Sequence, residues 1–274
     1  MPYWFNGHLH PGDRIDLGIH DPAFLYGATV FTTLRVYDQS LDHPLTQWSA
    51  HQHRLQQTLT DFHWPAPDWA QVRRGAEHLK RNYPVLRIAC LPDSRELITG
   101  RPLPTHLATR QTKGITAWVA QSGPYHRGLP QYKTGNYLGS WLALQAAQAQ
   151  AAKEAILVNN AGDWLETSTG NLWGWARGQW WTPPWQAGLL PGIARQQVLD
   201  HFHRLGIPVH TQPWTRPLIP TLEVLAYTNG VVQVVPIHTV LEDQSRLEFD
   251  PQHSCLGELR AVFQWPNPRK LKDQ

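Results

Sequence analysis

Most hydrophobic positions of this chain fall in short segments that are rich in β-branched and aromatic residues and are bounded by Gly, Pro, Asn or Asp. Such segments predict β-strands. They lie at residues 29–37, 85–91, 115–120, 154–159, 164–167, 171–177 and 179–182. Residues 92–104 are rich in proline, so we expect them to form a loop.

Three other segments carry apolar or helix-forming residues at helical spacing, at residues 48–59, 141–153 and 193–205. Thr46 or Ser49 is the expected N-cap of the first of these helices. Gly206 follows the third and is expected to end it, because glycine adopts the left-handed conformation that closes many helices.

Residues 121–130 contain Gly and Pro without any hydrophobic period, which predicts a connection between two domains. A chain of 274 residues is long enough for two domains, because single cores stop growing at roughly 250 to 300 residues. We expect a small N-terminal domain at residues 1–120 and a large C-terminal domain at residues 131–274. The mixture of short strands and helices predicts an α/β protein of the α+β type with mixed sheets.

Composition excludes several classes of function. The net charge is +3 and the basic residues are scattered, so the basic stripe typical of nucleic-acid binding is missing. No apolar run approaches the roughly 20 residues that span a bilayer, and the first residues do not resemble a signal peptide. The 15 histidines and two cysteines show no metal-ligand spacing. We therefore expect a cytoplasmic protein without a metal site, a nucleic-acid partner or a membrane partner.

Candidate chemistry begins with Lys133, which lies among Gly, Asn and Tyr in a chain whose positive charge comes mostly from arginine. Glu166 follows near the end of a predicted strand. An amine for a Schiff base and a carboxylate for a pyridine nitrogen are the two protein groups that pyridoxal 5'-phosphate (PLP) chemistry requires. Gly192 precedes a predicted helix, whose first N–H groups favour a phosphate. The sequence thus indicates an enzyme that acts on a small molecule with PLP.

Six segments, in order along the chain, resemble the class IV (fold-type IV) PLP enzymes, which include branched-chain aminotransferases, D-amino-acid aminotransferases and 4-amino-4-deoxychorismate lyases. The segments lie at residues 21–36, 51–55, 132–138, 165–173, 191–195 and 227–237. The resemblance implies a two-domain fold-type IV enzyme, similar to D-amino-acid aminotransferase. It also implies a homodimer in which a partner loop completes each cleft.

The resemblance assigns roles to single residues. It implies that Lys133 forms the Schiff base, Glu166 pairs with the pyridinium nitrogen and Arg54 clamps the phosphate. It implies further cofactor contacts at Ile193, Ala194, Asn229, Gly230 and Tyr137. Thr33 is implied to position Lys133 or a water molecule near it. The substrate is expected at Tyr26, Phe31, Arg35 and Asn229.

Motif spacing helps to choose among the activities of the family. Lys133 and Asn136 have the three-residue step of the lyases and the D-amino-acid enzymes, and residues 99–104 lack the Arg-x-His segment of the best-known D-amino-acid enzymes. The run Phe31-Thr32-Thr33 also resembles the lyases. We expect conversion of 4-amino-4-deoxychorismate to p-aminobenzoate and pyruvate, a step of folate biosynthesis. The alternatives are an aminotransferase for D-amino or branched-chain amino acids and a PLP-binding protein without turnover.

The chain departs from the family pattern at several positions. Many relatives carry hydroxyl side chains where Ala194 and Gly230 stand, so backbone N–H groups are the donors that remain there. Pro22 replaces an arginine, and Ala28 begins a pair that replaces Asp-Gly. Residues 91–95 replace a glycine-rich segment that normally shapes the substrate pocket. These departures affect the prediction of the substrate more than that of the cofactor.

Overall fold

The structure is a computed structural model that describes residues 1–121 and 123–264. Its strands in the first half of the chain are β1 (Tyr3–Phe5), β2 (His8–His10), β3 (Val30–Arg35), β4 (Val85–Cys90), β5 (Glu96–Arg101) and β6 (Ile115–Ala120). The remaining strands are β7 (Glu154–Val158), β8 (Trp164–Thr167), β9 (Asn171–Ala176), β10 (Gln179–Thr182), β11 (Val209–Thr211), β12 (Val224–Asn229), β13 (Gln233–Glu242) and β14 (Ser245–Glu248).

The α-helices are α1 (Pro22–Leu25), α2 (Trp48–Asp61), α3 (Trp69–Leu79), α4 (Leu107–Lys113), α5 (Leu138–Ala149), α6 (Ile193–Leu205) and α7 (Leu256–Ala261). Short 3₁₀ helices lie at Pro44–Thr46, Gly123–Tyr125, Trp185–Ala187 and Ile219–Thr221. None of the helices in the described ranges is both long and apolar enough to cross a membrane.

The smaller sheet is antiparallel and has the strand order β2-β1-β5-β4-β3. Its core combines Leu34, Leu86 and Ile98 from the strands with Leu55 and Val72 from helices α2 and α3. Burial of each such side chain contributes roughly 1.5 to 3 kcal/mol, so this core fixes α2 against the sheet. That contact positions the residues of α2 that face the functional site.

The larger sheet has the order β11-β10-β9-β12-β13-β6-β7-β8, with β14 paired to β13. Strand β8 also pairs with β9, so the strands β9, β12, β13, β6, β7 and β8 form a closed ring. The pairs β6–β7, β6–β13 and β10–β11 are parallel and the others are antiparallel. The mixed sheets confirm the predicted fold class.

Several predicted elements have the same bounds in the structure, namely β6, β10 and α6, and Gly206 ends α6 in the left-handed conformation. The predicted helix 141–153 lies about one turn earlier, at α5. It ends before Ala151, which has a left-handed φ of 59°, and Lys153 donates its N–H to Thr116 in the neighbouring strand instead.

Two predictions about the first half are wrong. Residues 92–104 are not only a loop, because they contain β5, which lies between β1 and β4 with Ile98 fully buried. Neither Thr46 nor Ser49 caps α2. The helix begins after Gln47, whose φ is 54°, and no side chain caps it. The Thr46 hydroxyl is used elsewhere, since it donates to the Ser40 carbonyl at 3.0 Å and accepts from the Tyr37 N–H.

The division into domains at residues 1–120 and 131–274 stays a prediction. Strand β6 precedes the predicted connection yet pairs with β7 and β13 of the larger sheet, so the chain changes sheet between β5 and β6. Residue 122 of the predicted connection and residues 265–274 of the predicted large domain lie outside the described residues.

Candidate active site

A cavity of about 470 Å³ is lined by residues from both sheets. Phe31 and Thr33 of β3 line it on the side of the smaller sheet, and Glu166 of β8 lines it on the side of the larger sheet. Residues from α2, from the segment before α5, from the start of α6 and from the turn after β12 also line it. It therefore brings together residues that are far apart in sequence.

Lys133 lies in the segment before α5, and this segment is hydrogen-bonded to the edge of the smaller sheet. Phe31 donates its N–H to the Lys133 carbonyl at 2.8 Å, and Gly135 donates to the Thr29 carbonyl at 2.6 Å. The Lys133 Nζ donates to the Tyr137 hydroxyl at 3.1 Å. Burial, followed by the charges of Arg54 and Arg127, holds the pKa of Lys133 well below its usual value. Its amine is therefore favoured in the neutral, nucleophilic form.

Glu166 is buried and makes two hydrogen bonds, one with each carboxylate oxygen. The Arg127 guanidinium donates to Oε1, and the Leu190 N–H donates to Oε2 at 3.1 Å. Burial raises the pKa of Glu166, while Arg127 and the Leu190 N–H oppose that rise. Arg127 also donates to the Tyr132 carbonyl at 2.9 Å, which connects Glu166 to the lysine segment.

Sequence reasoning missed Arg127. Arg127 lies in the segment 121–130, for which the sequence predicts only a connection between domains. The residue belongs to no motif and to no hydrophobic period. An ion pair between this arginine and Glu166, 39 residues away in sequence, depends on how the connection folds against β8. The only sequence signal is a basic residue close before Lys133.

Arg54 lies on α2 and faces the cavity. Its Nη2 donates to the Thr32 hydroxyl at 2.6 Å, and its buried Nε has no hydrogen-bond partner among the described residues. Burial lowers the pKa of Arg54 to about 10, and the group remains charged at neutral pH. A buried cation with an unused donor beside a cavity is suited to an anion.

The start of α6 and the turn after β12 also line the cavity. Gly192 is the N-cap of α6 and makes no side-chain cap, so the N–H groups of Ile193 and Ala194 point outward without an intrahelical partner. A Cβ atom at Gly192 would lie 2.0 Å from Asn171 Oδ1, so any larger residue there would displace the Asn171 side chain. In the turn after β12, Asn229 Oδ1 accepts from the N–H groups of residues 231 and 232, both at 2.9 Å.

The structure brings together most residues of the predicted site. The cavity lining includes the predicted residues Phe31, Thr33, Arg54, Lys133, Tyr137, Glu166, Ile193, Ala194, Asn229 and Gly230. Two predicted substrate residues are not in this lining. The side chain of Tyr26 is 75% exposed, and the guanidinium of Arg35 lies 4.7 Å from the centre of the Tyr37 ring. Their binding of substrate stays a prediction.

The residues of this cavity fit PLP. Its aldehyde requires a neutral amine, which Lys133 would supply, and its pyridine nitrogen requires a carboxylate, which Glu166 would supply. Its phosphate requires donors, and the unused Nε of Arg54 and the first N–H groups of α6 are such donors. No group of three or more potential metal ligands occurs in the parts of the chain that the structure describes.

Comparisons with known proteins agree with this fit. Residues 29–240 match the family model of amino-transferase class IV. The aminodeoxychorismate lyase of Vibrio harveyi is 24% identical over 264 residues, which cover 90% of this chain and 94% of that protein. The branched-chain-amino-acid aminotransferase of Escherichia coli K12 is 22% identical over 262 residues, which cover 86% of this chain and 84% of that protein.

Solved structures have the same fold. That of the branched-chain amino acid aminotransferase of Escherichia coli gives a TM-score of 0.80 at 21% identity, covering 96% of this chain and 92% of the other. A PLP-bound hypothetical aminotransferase from Mycobacterium tuberculosis gives a TM-score of 0.79 at 21% identity, covering 96% and 98%. Since the family model spans most of the sequence, this chain belongs to the amino-transferase class IV family.

Proposed function

We propose that this chain is a lyase that converts 4-amino-4-deoxychorismate to p-aminobenzoate and pyruvate, with PLP, the cofactor of its family, as its cofactor. The observation that carries the proposal is the charge of the cavity, which is lined by five Lys or Arg side chains besides the neutral Lys133 and by two Glu side chains. The substrate of the lyase has two carboxylates, whereas a branched-chain amino acid has one carboxylate and an apolar side chain. An excess of cations therefore favours the substrate of the lyase.

The basic side chains of the lining separate into those with a partner or an assigned role and those without one. Arg127 is paired with Glu166, and we assign Arg54 to the phosphate and Lys133 to the Schiff base. The other acidic residue, Glu154, accepts from the Ser168 and Thr169 hydroxyls, both at 2.6 Å. Three further cations remain in the lining for substrate carboxylates, and they are Arg101, Arg110 and Lys153.

When bound, PLP supplies an aldehyde that condenses with amines and a ring that withdraws electrons from the carbon bearing the substrate amine. Lys133 would bind that aldehyde, and its free amine is neutral because burial depresses its pKa, so its Nζ would accept the proton from that carbon. The same Nζ then donates the proton to the departing enolpyruvyl group. Glu166 would hold a proton on the pyridine nitrogen, and Thr33, which also lines the cavity, would position Lys133 or a water molecule.

The relative from Vibrio harveyi, whose name is that of the lyase, supports this choice. An aminotransferase is the second candidate, because branched-chain-amino-acid aminotransferases match the chain over a similar length. Lys133 would then perform the 1,3-proton shift of an aminotransferase. Incubation of the purified protein with 4-amino-4-deoxychorismate, and separately with pairs of amino and keto acids, distinguishes the two. Fluorescent p-aminobenzoate supports the lyase, and a new amino acid supports the aminotransferase. A protein that binds PLP and forms neither product would contradict both.

We also propose that the protein is a cytoplasmic homodimer. Exposed apolar side chains occur close in sequence to Gly27 and to Gly135, two glycines that contact each other beside the lysine segment. They are Phe24, Tyr26, Leu138 and Trp141, which are between 56% and 75% exposed. A partner subunit that covered them would lie next to the cavity, which agrees with a partner loop that completes each cleft.

A further inference from the structure

His51 and Arg54 contact the same hydroxyl group behind the cavity. They lie three residues apart on α2 and therefore face the same side of the helix. The Thr32 Oγ1 lies 2.6 Å from Arg54 Nη2 and 2.5 Å from His51 Nδ1. Thr32 is fully buried, and His51 is only 3% exposed. The imidazole ring is thus held firmly, and its remaining edge lines the cavity.

The hydrogen bonds of Thr32 determine which ring nitrogen of His51 carries the proton. A guanidinium only donates, so the Thr32 hydroxyl accepts from Arg54. Among the described residues, His51 Nδ1 is the one acceptor within reach of the hydroxyl proton. Nδ1 therefore accepts, and the neutral ring carries its proton on Nε2. Burial and the nearby charges of Arg54 and Lys133 also hold the pKa of His51 well below its usual value, which favours the neutral ring.

The edge of the His51 ring that carries Nε2 lies beside a gap left by Gly230. A Cβ atom built on Gly230 would lie 3.6 Å from both Nε2 and Cε1 of His51, and nothing closer than 3.5 Å would surround it. No partner for Nε2 occurs in the part of the chain that the structure describes. The backbone of Gly230 is also held in place by β3, because the Gly230 carbonyl accepts from the Arg35 N–H at 3.2 Å.

We infer that His51 is a further phosphate-binding residue, whose Nε2–H donates to a phosphate oxygen of PLP through the gap that Gly230 leaves. Because His51 and Arg54 both contact Thr32 Oγ1 and both line the cavity, an anion bound by Arg54 would lie next to the imidazole. A neutral donor adds a hydrogen bond to the phosphate without placing another positive charge near Lys133. The inference rests on the proposed function in one respect, the placement of the phosphate beside Arg54.

The test compares PLP with pyridoxal, which lacks the phosphate. The full chain is freed of cofactor and titrated with each compound, and binding is followed by the quenching of tryptophan fluorescence. His51→Phe removes both ring nitrogens and keeps a ring in the space. It should weaken PLP binding about tenfold to a hundredfold and leave pyridoxal binding unchanged, because a hydrogen bond to a charged group is lost.

A second substitution separates the loss of a donor from damage to the fold. Gly230→Ser places a hydroxyl in the gap, where the contacts of the new Cβ are ordinary and the backbone needs no left-handed φ. In His51→Phe/Gly230→Ser the serine should restore most of the PLP affinity. If His51→Phe weakened binding by unfolding or displacing α2, the added serine would not restore the PLP affinity. Circular dichroism and thermal unfolding of the cofactor-free proteins confirm that each variant is folded.

Each outcome is informative. Loss of PLP affinity in His51→Phe with rescue by Gly230→Ser supports the inference. Equal PLP affinity in wild type and His51→Phe, with a large loss in Arg54→Ala, overturns the role of His51 and leaves the cofactor placement intact. Equal affinity of the wild type for PLP and pyridoxal overturns the placement itself and the inference with it.

Discussion

Arg127 donates to the carboxylate of Glu166, and each side chain of this ion pair is only 6% exposed. Burial raises the pKa of Glu166, and the guanidinium opposes the rise. The proposed role of Glu166 requires the ionised carboxylate, because only that form favours a proton on the pyridine nitrogen. Arg127 therefore maintains the protonation state on which the proposed chemistry depends.

The first prediction follows from this pair. In Arg127→Met, Glu166 loses its positive neighbour, so its ionised form is disfavoured and its pKa rises. Activity that requires ionised Glu166 should then be lost at a higher pH than in the wild type, which moves the acidic limb of the kcat/KM profile upward. Arg246→Met is the control, because it removes an arginine whose carboxylate partner, Glu248, is exposed and far from Glu166 in the sequence. An acidic limb that stays in place would exclude this role of Arg127.

The second prediction concerns Glu166→Gln. The variant should fold and bind PLP, while turnover falls by about a hundredfold or more, since an amide cannot hold a proton on the pyridine nitrogen as a carboxylate does. Single-turnover rates and a PLP titration provide the measurement. Glu154→Gln is a matched control, because Glu154 is equally buried in the same cavity. Near-normal turnover of Glu166→Gln would remove Glu166 from its assigned role.

The third prediction is that the purified protein is yellow and that borohydride abolishes the colour and attaches a pyridoxyl group to Lys133. The cavity provides an internal comparison, because Lys153 also lines it. The neutral amine of Lys133 makes it the expected nucleophile. Peptide mapping by mass spectrometry identifies the labelled lysine, and a label on Lys153, or on neither lysine, is the contrary result.

The fourth prediction is that Arg54→Lys weakens PLP binding although the charge is kept, because an ammonium cannot reproduce the fork of donors. A charge-assisted hydrogen bond contributes roughly 1.5 to 3 kcal/mol, so the dissociation constant should rise about tenfold to a hundredfold. Titration of the cofactor-free protein measures it. Arg101→Lys, in the same cavity, should have no such effect. An unchanged constant in Arg54→Ala would show that the phosphate lies elsewhere.

The fifth prediction concerns assembly. The protein should have the mass of a dimer at micromolar concentration, and Trp141→Arg should produce monomers, because it places a charge in the exposed apolar surface near the lysine segment. Leu205→Arg, a similarly exposed position at the end of α6, should stay dimeric. Analytical ultracentrifugation distinguishes the two forms. A fully active monomer would contradict the proposed homodimer.

Sequence patterns predicted the elements whose ends have local causes. Helix α6 has glycines at both ends, so its bounds follow from backbone conformation alone. Strand β5 was not predicted, because the sequence around it is rich in proline. Its stability comes from pairing with β1 on one side and β4 on the other. Such pairing is a property of the folded chain, and no local pattern encodes it.

The same division applies to the candidate site. Lys133 and Glu166 could be found because each stands in a motif, and the structure places both in one cavity lining. Arg127 and the contact between His51 and Thr32 could not be found, because they arise where the connecting segment and α2 approach other elements. Motifs identify the reacting groups, whereas the residues that tune them depend on tertiary contacts.

The hydrogen bonds that join Lys133 to β3 have a consequence for protein engineering. The backbone carbonyl of Lys133 accepts from the Phe31 N–H, and Phe31 itself lines the cavity, so the proposed substrate-facing strand and the proposed reactive amine share one hydrogen-bonded unit. A chimera that replaced residues 30–35 by the strand of a relative would also displace the amine. Exchanges designed to change specificity should therefore transplant the strand and the lysine segment together.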